Sequence, residues 1–197
     1  MPDQPEELTP RVRDLDARSL RGLAHPLRMQ LLNALRRGGP ATASQLAAKL
    51  GESSGATSYH LRQLAAHGFV EDAPEHGKGR ERWWQAAHDG VQFSEALHKD
   101  PDPAVRGAAD LFIHEVANIH TRELSTWLGN PDDWSDEWNR SSDMSDMTLR
   151  LTPERALELI HRMHELVDSY RAHAPAEGTP DAETVRVHTH VFPTHTD

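Results

Sequence analysis

Cysteine is absent from the sequence. That excludes a disulfide framework, a thiolate metal site and a cysteine nucleophile. No apolar run approaches the length that crosses a bilayer. Residues 1–14, with Pro2, Pro5 and Pro10, lack the apolar centre of a signal peptide and are expected as a disordered tail. A cytoplasmic protein without membrane contact is the expectation. There is no G-x-S-x-G, no P-loop lysine motif and no Gly-rich dinucleotide turn, so no enzyme and no cofactor are expected.

Positive charge is also scarce overall, with 21 Lys and Arg against 31 Asp and Glu and a net charge of −10. Its distribution is uneven. Residues 18–84 hold ten basic side chains against five acidic ones, whereas residues 91–197 hold nine against twenty. Screening limits charge effects to about 8–10 Å at ordinary salt, so the local balance governs binding to a polyanion. The acidity belongs to the carboxy-terminal half.

The stretch from Thr42 to Leu64 organises the chain. Thr42 and Gln45 form a capping-box pattern, and Leu46, Ala47 and Leu50 give the following helix one apolar stripe. Gly51 supplies a helix C-terminus that tolerates positive φ, Ser53 starts a second helix, and Leu61 with Leu64 marks its buried face. Helix, tight turn, helix is a helix-turn-helix unit. Upstream, His25 to Leu35 is an amphipathic helix with Pro26 in its first turn. Downstream, Gly68-Phe69-Val70-Glu71 and Glu81-Arg82-Trp83-Trp84-Gln85 flank a basic Gly-rich turn, as in a β-hairpin.

In these residues the chain resembles the ArsR-type winged helix-turn-helix regulators. The resemblance rests on Pro26, Arg28, Leu31 and Leu32; on Leu46, Ala47 and Leu50; on Ser58, His60, Leu61, Leu64, Gly68, Phe69 and Val70; and on Gly79, Arg80 and Trp84. It spans roughly residues 15 to 88 in the family's order. It implies a homodimer that binds double-stranded DNA, an inverted-repeat operator, and most often repression. The second helix would enter the major groove with Ser54, Gly55, Ala56, Ser58, Tyr59, His60 and Arg62, and Arg62 would read a guanine edge or hold a phosphate. Lys78, Arg80 and Arg82 alternate along the hairpin and would grip the flanking backbone.

The expected fold class is mainly α with a small β component. Its parts are the tail at 1–14, a winged helix-turn-helix domain at 15–90, and an acidic helical dimerisation or effector region at 91–197 that ends in a β-strand. Within that region a helix is expected to start at Val91, a long helix to run from about Pro103 to Leu128, and another from Pro153 to His173. Thr148–Thr152 and Val185–Val191 read as strands. Trp127, Trp134 and Trp138 are candidates for an apolar effector pocket, against the plainer reading that they pack the structure. Pairs such as Asp110 with His114, His120 with Glu123, and His161 with His164 have metal-binding spacing, yet the first departs from the family's metal pattern, and no metal is expected. Two readings of other classes stand beside DNA binding: a winged-helix protein-interaction module, and a sensor of a metal or small ligand.

Overall fold

In a computed structural model the helices begin where a side chain can cap them. The structure describes residues 11–76, 81–176 and 178–195. The chain divides into two units, one running to Gly129 and the other starting at Asn130.

The first unit runs β1 (Val12–Asp14), α1 (Ala17–Leu23), α2 (Pro26–Gly38), β2 (Ala41–Thr42), α3 (Ala43–Leu50), α4 (Ser54–Ala66), β3 (Val70–Asp72), β4 (Trp83–Ala86), β5 (Gly90–Gln92) and α5 (Pro103–Gly129). Asp16 and Ser19 form a reciprocal cap on α1, the Ser19 amide donating to Asp16 Oδ1 at 2.6 Å. Thr42 and Gln45 do the same on α3, at 3.3 and 2.9 Å. The imidazole of His25 caps α2 by accepting from the Leu27 amide at 3.2 Å. Gly51 ends α3 with φ of 69°, a left-handed geometry that glycine adopts without a Cβ penalty.

These caps set the helix starts, and burial of one face of each helix does the rest. Leu20, Leu23, Leu31, Leu61, Leu64 and Phe69 are fully buried in one core. Each such side chain contributes about 1.5–3 kcal/mol relative to exposure. Gly22 on α1 is pressed against the ring of His67, so that a Cβ there would meet His67 Cγ at 2.3 Å.

Two small sheets frame the helices. β2, β4 and β3 form an antiparallel sheet in that order, with Thr42 opposite Trp83 and Asp72 opposite Trp84. β1 pairs in parallel with β5, Val12 opposite Gly90. This corrects two expectations. The segment at 1–14 is not wholly a tail, because Val12–Asp14 finds a partner edge; residues 1–10 lie outside the described residues. The segment after Gly90 begins as strand β5 and then a 3-10 turn, Glu95–Lys99, instead of a helix.

The boundary expected at residue 90 also moves. Val105, Ala109 and Phe112 of α5 belong to the winged core, and Phe112 stacks on Phe93 with ring centroids 5.4 Å apart. Glu115, also buried, accepts from Arg122 at 2.8 Å and from Gln30 of α2 at 3.2 Å. Arg37 of α2 donates to Glu123 at 2.9 Å. Helix α5 is therefore part of the first unit.

The second unit contains α6 (Asp136–Arg140) and α7 (Pro153–Ala172), the latter capped by Thr152. None of its described residues is buried. The strands expected at Thr148–Thr152 and Val185–Val191 do not form, so this region does not end in a β-strand; the alternation is present, but neither segment is hydrogen-bonded into a ladder.

Candidate nucleic-acid interface

Helix α4 starts where Ser53 Oγ accepts from the Ala56 amide at 3.2 Å, and its inner face is fixed by Thr57, Leu61 and Leu64, all buried. The opposite face is therefore set by helical geometry. Ser54, Gly55, Tyr59 and Arg62 are exposed, and Ser58 is half-buried. Arg62 Nε donates to the Ser58 carbonyl at 3.2 Å, which lays the guanidinium along its own helix. Among the described residues a cleft of about 340 Å³ separates this face from the hairpin, lined by Ser44, Ser58, Arg62, Glu81, Arg82 and Trp84 among others.

Two residues expected on the DNA-facing surface are turned elsewhere. Ala56 is half-buried against the core. His60 lies on the imidazole of His25, the ring centroids 4.4 Å apart, and packs edge-on to Tyr59 at 5.1 Å. Its Nδ1 is buried without a hydrogen-bond partner. Burial, with the nearby His25 and Arg28 charges, lowers its pKa below the ordinary histidine value. His60 is a packing residue between α4 and the start of α2.

On the hairpin, Lys78 and Arg80 lie outside the described residues. Arg82 is described, and it is not a free cation. Its Nη2 donates to Asp72 Oδ2 at 2.7 Å, its Nε bonds the other carboxylate oxygen, and its guanidinium covers the Trp84 ring at 3.9 Å from the centroid. The hydrogen bonds with Asp72 raise the Arg82 pKa and lower that of Asp72. Trp84 is buried and Trp83 half-buried, as alternation along a strand requires. Ser44 Oγ donates to Glu81 Oε1 at 3.0 Å and so ties the hairpin to the start of α3. The Asp72–Arg82 pair is not legible in the sequence: the register sets Asp72 opposite Trp84, and Arg82 reaches it diagonally from just ahead of β4.

The remaining candidates are dispersed. Trp127 belongs to α5 and thus to the first unit, whereas Trp134 and Trp138 belong to the second. Asp110 faces His98, 3.2 Å from Nδ1, while His114 contacts the Asp110 carbonyl at 2.8 Å. No group of three His, Asp or Glu suited to a metal occurs among the described residues. No described helix is long and apolar enough to cross a membrane.

Residues 23–73 match the family model described as "Helix-turn-helix domain", which spans α2, α3, α4 and β3. Comparison with curated proteins gives no match. Among solved structures the chain is similar to the homodimeric winged helix-turn-helix DNA-binding domain (fragment 1–100) of a possible ArsR-family regulator from Mycobacterium bovis. Identity there is 23%, covering 54% of this chain and 82% of that one, with a TM-score of 0.33. It is also similar to the AntR antimony-specific transcriptional repressor, at 23% identity, 52% and 78% coverage and a TM-score of 0.32. A possible transcriptional regulator for arsenical resistance shares 25% identity, with 65% and 97% coverage and a TM-score of 0.31. Likeness at this level adds nothing to the family match and to the geometry of α3, α4 and the hairpin.

Proposed function

We propose that this chain, which carries a helix-turn-helix domain of the ArsR type, is a sequence-specific DNA-binding regulator that represses transcription as a homodimer on an inverted-repeat operator. One observation carries the reading. Helix α4 buries Leu61 and Leu64 and leaves Ser54, Gly55, Tyr59 and Arg62 exposed beside a hairpin, so a polar, closely approachable helix face is presented next to a second anchoring element. Small residues at the start of α4 permit close approach of backbone to base edges, and Arg62 offers a fork of donors that suits guanine O6 and N7. The excess of basic side chains in residues 18–84 supports binding to a polyanion despite the net charge of −10. DNA as partner supports a cytoplasmic location.

Dimerisation is supported by α5. Beyond its core-facing side, Ile113, Ala117, Leu124 and Leu128 recur at helical spacing, all exposed, as a second apolar stripe. Two copies meeting along it would offer paired recognition helices to successive major grooves, about 34 Å apart.

Selection from a random-sequence duplex library at two salt concentrations, followed by sequencing of the retained fraction, tests the proposal. The expected result is an enriched motif with two-fold symmetry, retained at the higher salt. Uniform loss of all sequences as salt rises, with no enriched motif, would overturn it.

A further inference from the structure

We propose that Asp72 makes Arg82 a conditional phosphate contact: its carboxylate withholds Arg82 from phosphates of random DNA and releases it only when α4 is seated in its site. The inference rests on the DNA-binding reading above.

Arg82 is the one Lys or Arg among the described hairpin residues, 70–76 and 81–86. It would be the natural backbone contact, yet its Nε and Nη2 are both directed to Asp72 and its face lies on Trp84. A guanidinium presents the same fork to a carboxylate as to a phosphate, so the two compete for the same donors. Asp72 competes from a fixed place. It ends β3 directly opposite Trp84 in the ladder, and Arg82 lies two residues before Trp84, just ahead of β4. The carboxylate therefore acts at the high effective concentration of a tethered group.

A phosphate in a loosely held, non-specific complex has no such advantage and leaves the pair intact. Seating α4 changes this, because Arg82 lines the cleft whose other wall carries Ser58 and Arg62 of α4. A phosphate fixed there by contacts to α4 is itself tethered, and it meets two guanidiniums. Both members of the pair are about half exposed, at 54% and 52%, so water reaches the pair and the exchange needs no unpacking. Arg82 is thereby counted in the specific complex and omitted from the non-specific one.

The experiment uses the full chain and measures affinity against salt for two duplexes: one of random sequence, and one enriched by the selection above. Asp72→Asn removes the charge at nearly constant shape. The expected result is a several-fold rise in affinity for the random duplex, with its logarithmic salt slope steeper by about 0.9, as one added phosphate contact requires. The slope for the enriched duplex stays unchanged, so the difference in slope between the two duplexes narrows by the same amount. Asp72→Glu, which keeps the charge, retains wild-type slopes, and in an Arg82→Ala background Asp72→Asn has no further effect. An unchanged random-duplex slope in Asp72→Asn overturns the proposal. So does an effect that persists without Arg82, since Asp72 would then act as a general repulsive charge. Failure of the wild-type protein to retain any duplex at low salt would overturn the DNA-binding reading itself.

Discussion

The imidazoles of His25 and His60 lie 4.4 Å apart between ring centroids, inclined by 37°, and join the first turn of α2 to the middle of α4. The contact couples a helix cap to α4, because the same His25 ring accepts the Leu27 amide. Both rings are held below the ordinary histidine pKa, first by burial and then by neighbouring positive charge that includes Arg28. His67 and His88 are shifted the same way, again chiefly by burial.

A pH dependence follows, with a definite sign. The unfolded chain takes up protons at about pH 6.5 and the folded one at lower pH, so the unfolded state binds more protons as pH falls through that value. Stability is fully present above that range and declines below it. Thermal melts between about pH 7.5 and 5.5 are expected to show Tm falling with acidification. His60→Gln reduces the dependence. Asp16, Asp72 and Glu115 have lowered pKa values, so their losses come at more acidic pH and are separable. A constant Tm across the window would contradict the assignment.

Arg62→Ala is expected to relax sequence preference, lowering affinity for the enriched duplex by about 1–3 kcal/mol while changing random-duplex affinity little. Arg80→Ala, between β3 and β4 in sequence, is expected to weaken all sequences and reduce the salt slope by about one unit. Equal effects of both changes on both duplexes would remove the distinction between reading and anchoring.

Glu115 is buried, which pushes its pKa upward, but hydrogen bonds from Arg122, Gln30 and Asn118 outweigh burial and hold it below the ordinary carboxylate value. Glu115→Ala leaves those donors short of an acceptor and is expected to cost about 1–3 kcal/mol in chemical denaturation. Wild-type stability in this variant would show that the Glu115 hydrogen bonds contribute nothing to holding α5 in place.

Leu124 and Leu128 are exposed on α5. The double substitution Leu124→Glu with Leu128→Glu is expected to convert a dimer into a monomer in sedimentation and to weaken operator binding by more than tenfold, with an unchanged far-ultraviolet spectrum. A monomeric wild-type protein at micromolar concentration would refute the role given to this stripe.

What was legible in the sequence was local. Thr42 with Gln45, Ser53 and Gly51 are caps, whose physics is settled within four residues, and all fall where the sequence reading puts them. The leucines of α2, α3 and α4 declare their buried faces by spacing. Long-range pairing left no such trace. Val12–Asp14 pairs with a segment 78 residues away in sequence and has neither turn nor alternation to mark it. Thr148–Thr152 and Val185–Val191 show the converse: alternation describes a surface that fits a sheet but supplies no neighbouring strand. At the interface, helical phase correctly exposed Tyr59 and Arg62, whereas His60 and Arg82 are claimed by partners, His25 and Asp72, that lie on other elements.

The parallel β1–β5 ladder has a mechanical corollary. Arg11 and Asp89 are tied by a second pair of bonds, Asp89 N–H to the Arg11 carbonyl and Arg11 N–H to Asp89 Oδ2, while Arg13 reaches the carbonyl of His67 at the end of α4. Residues 11–13 are thus tied both to the segment that follows β4 and to the C-terminal end of α4. Displacing residues 11–13 therefore breaks contacts to both elements at once.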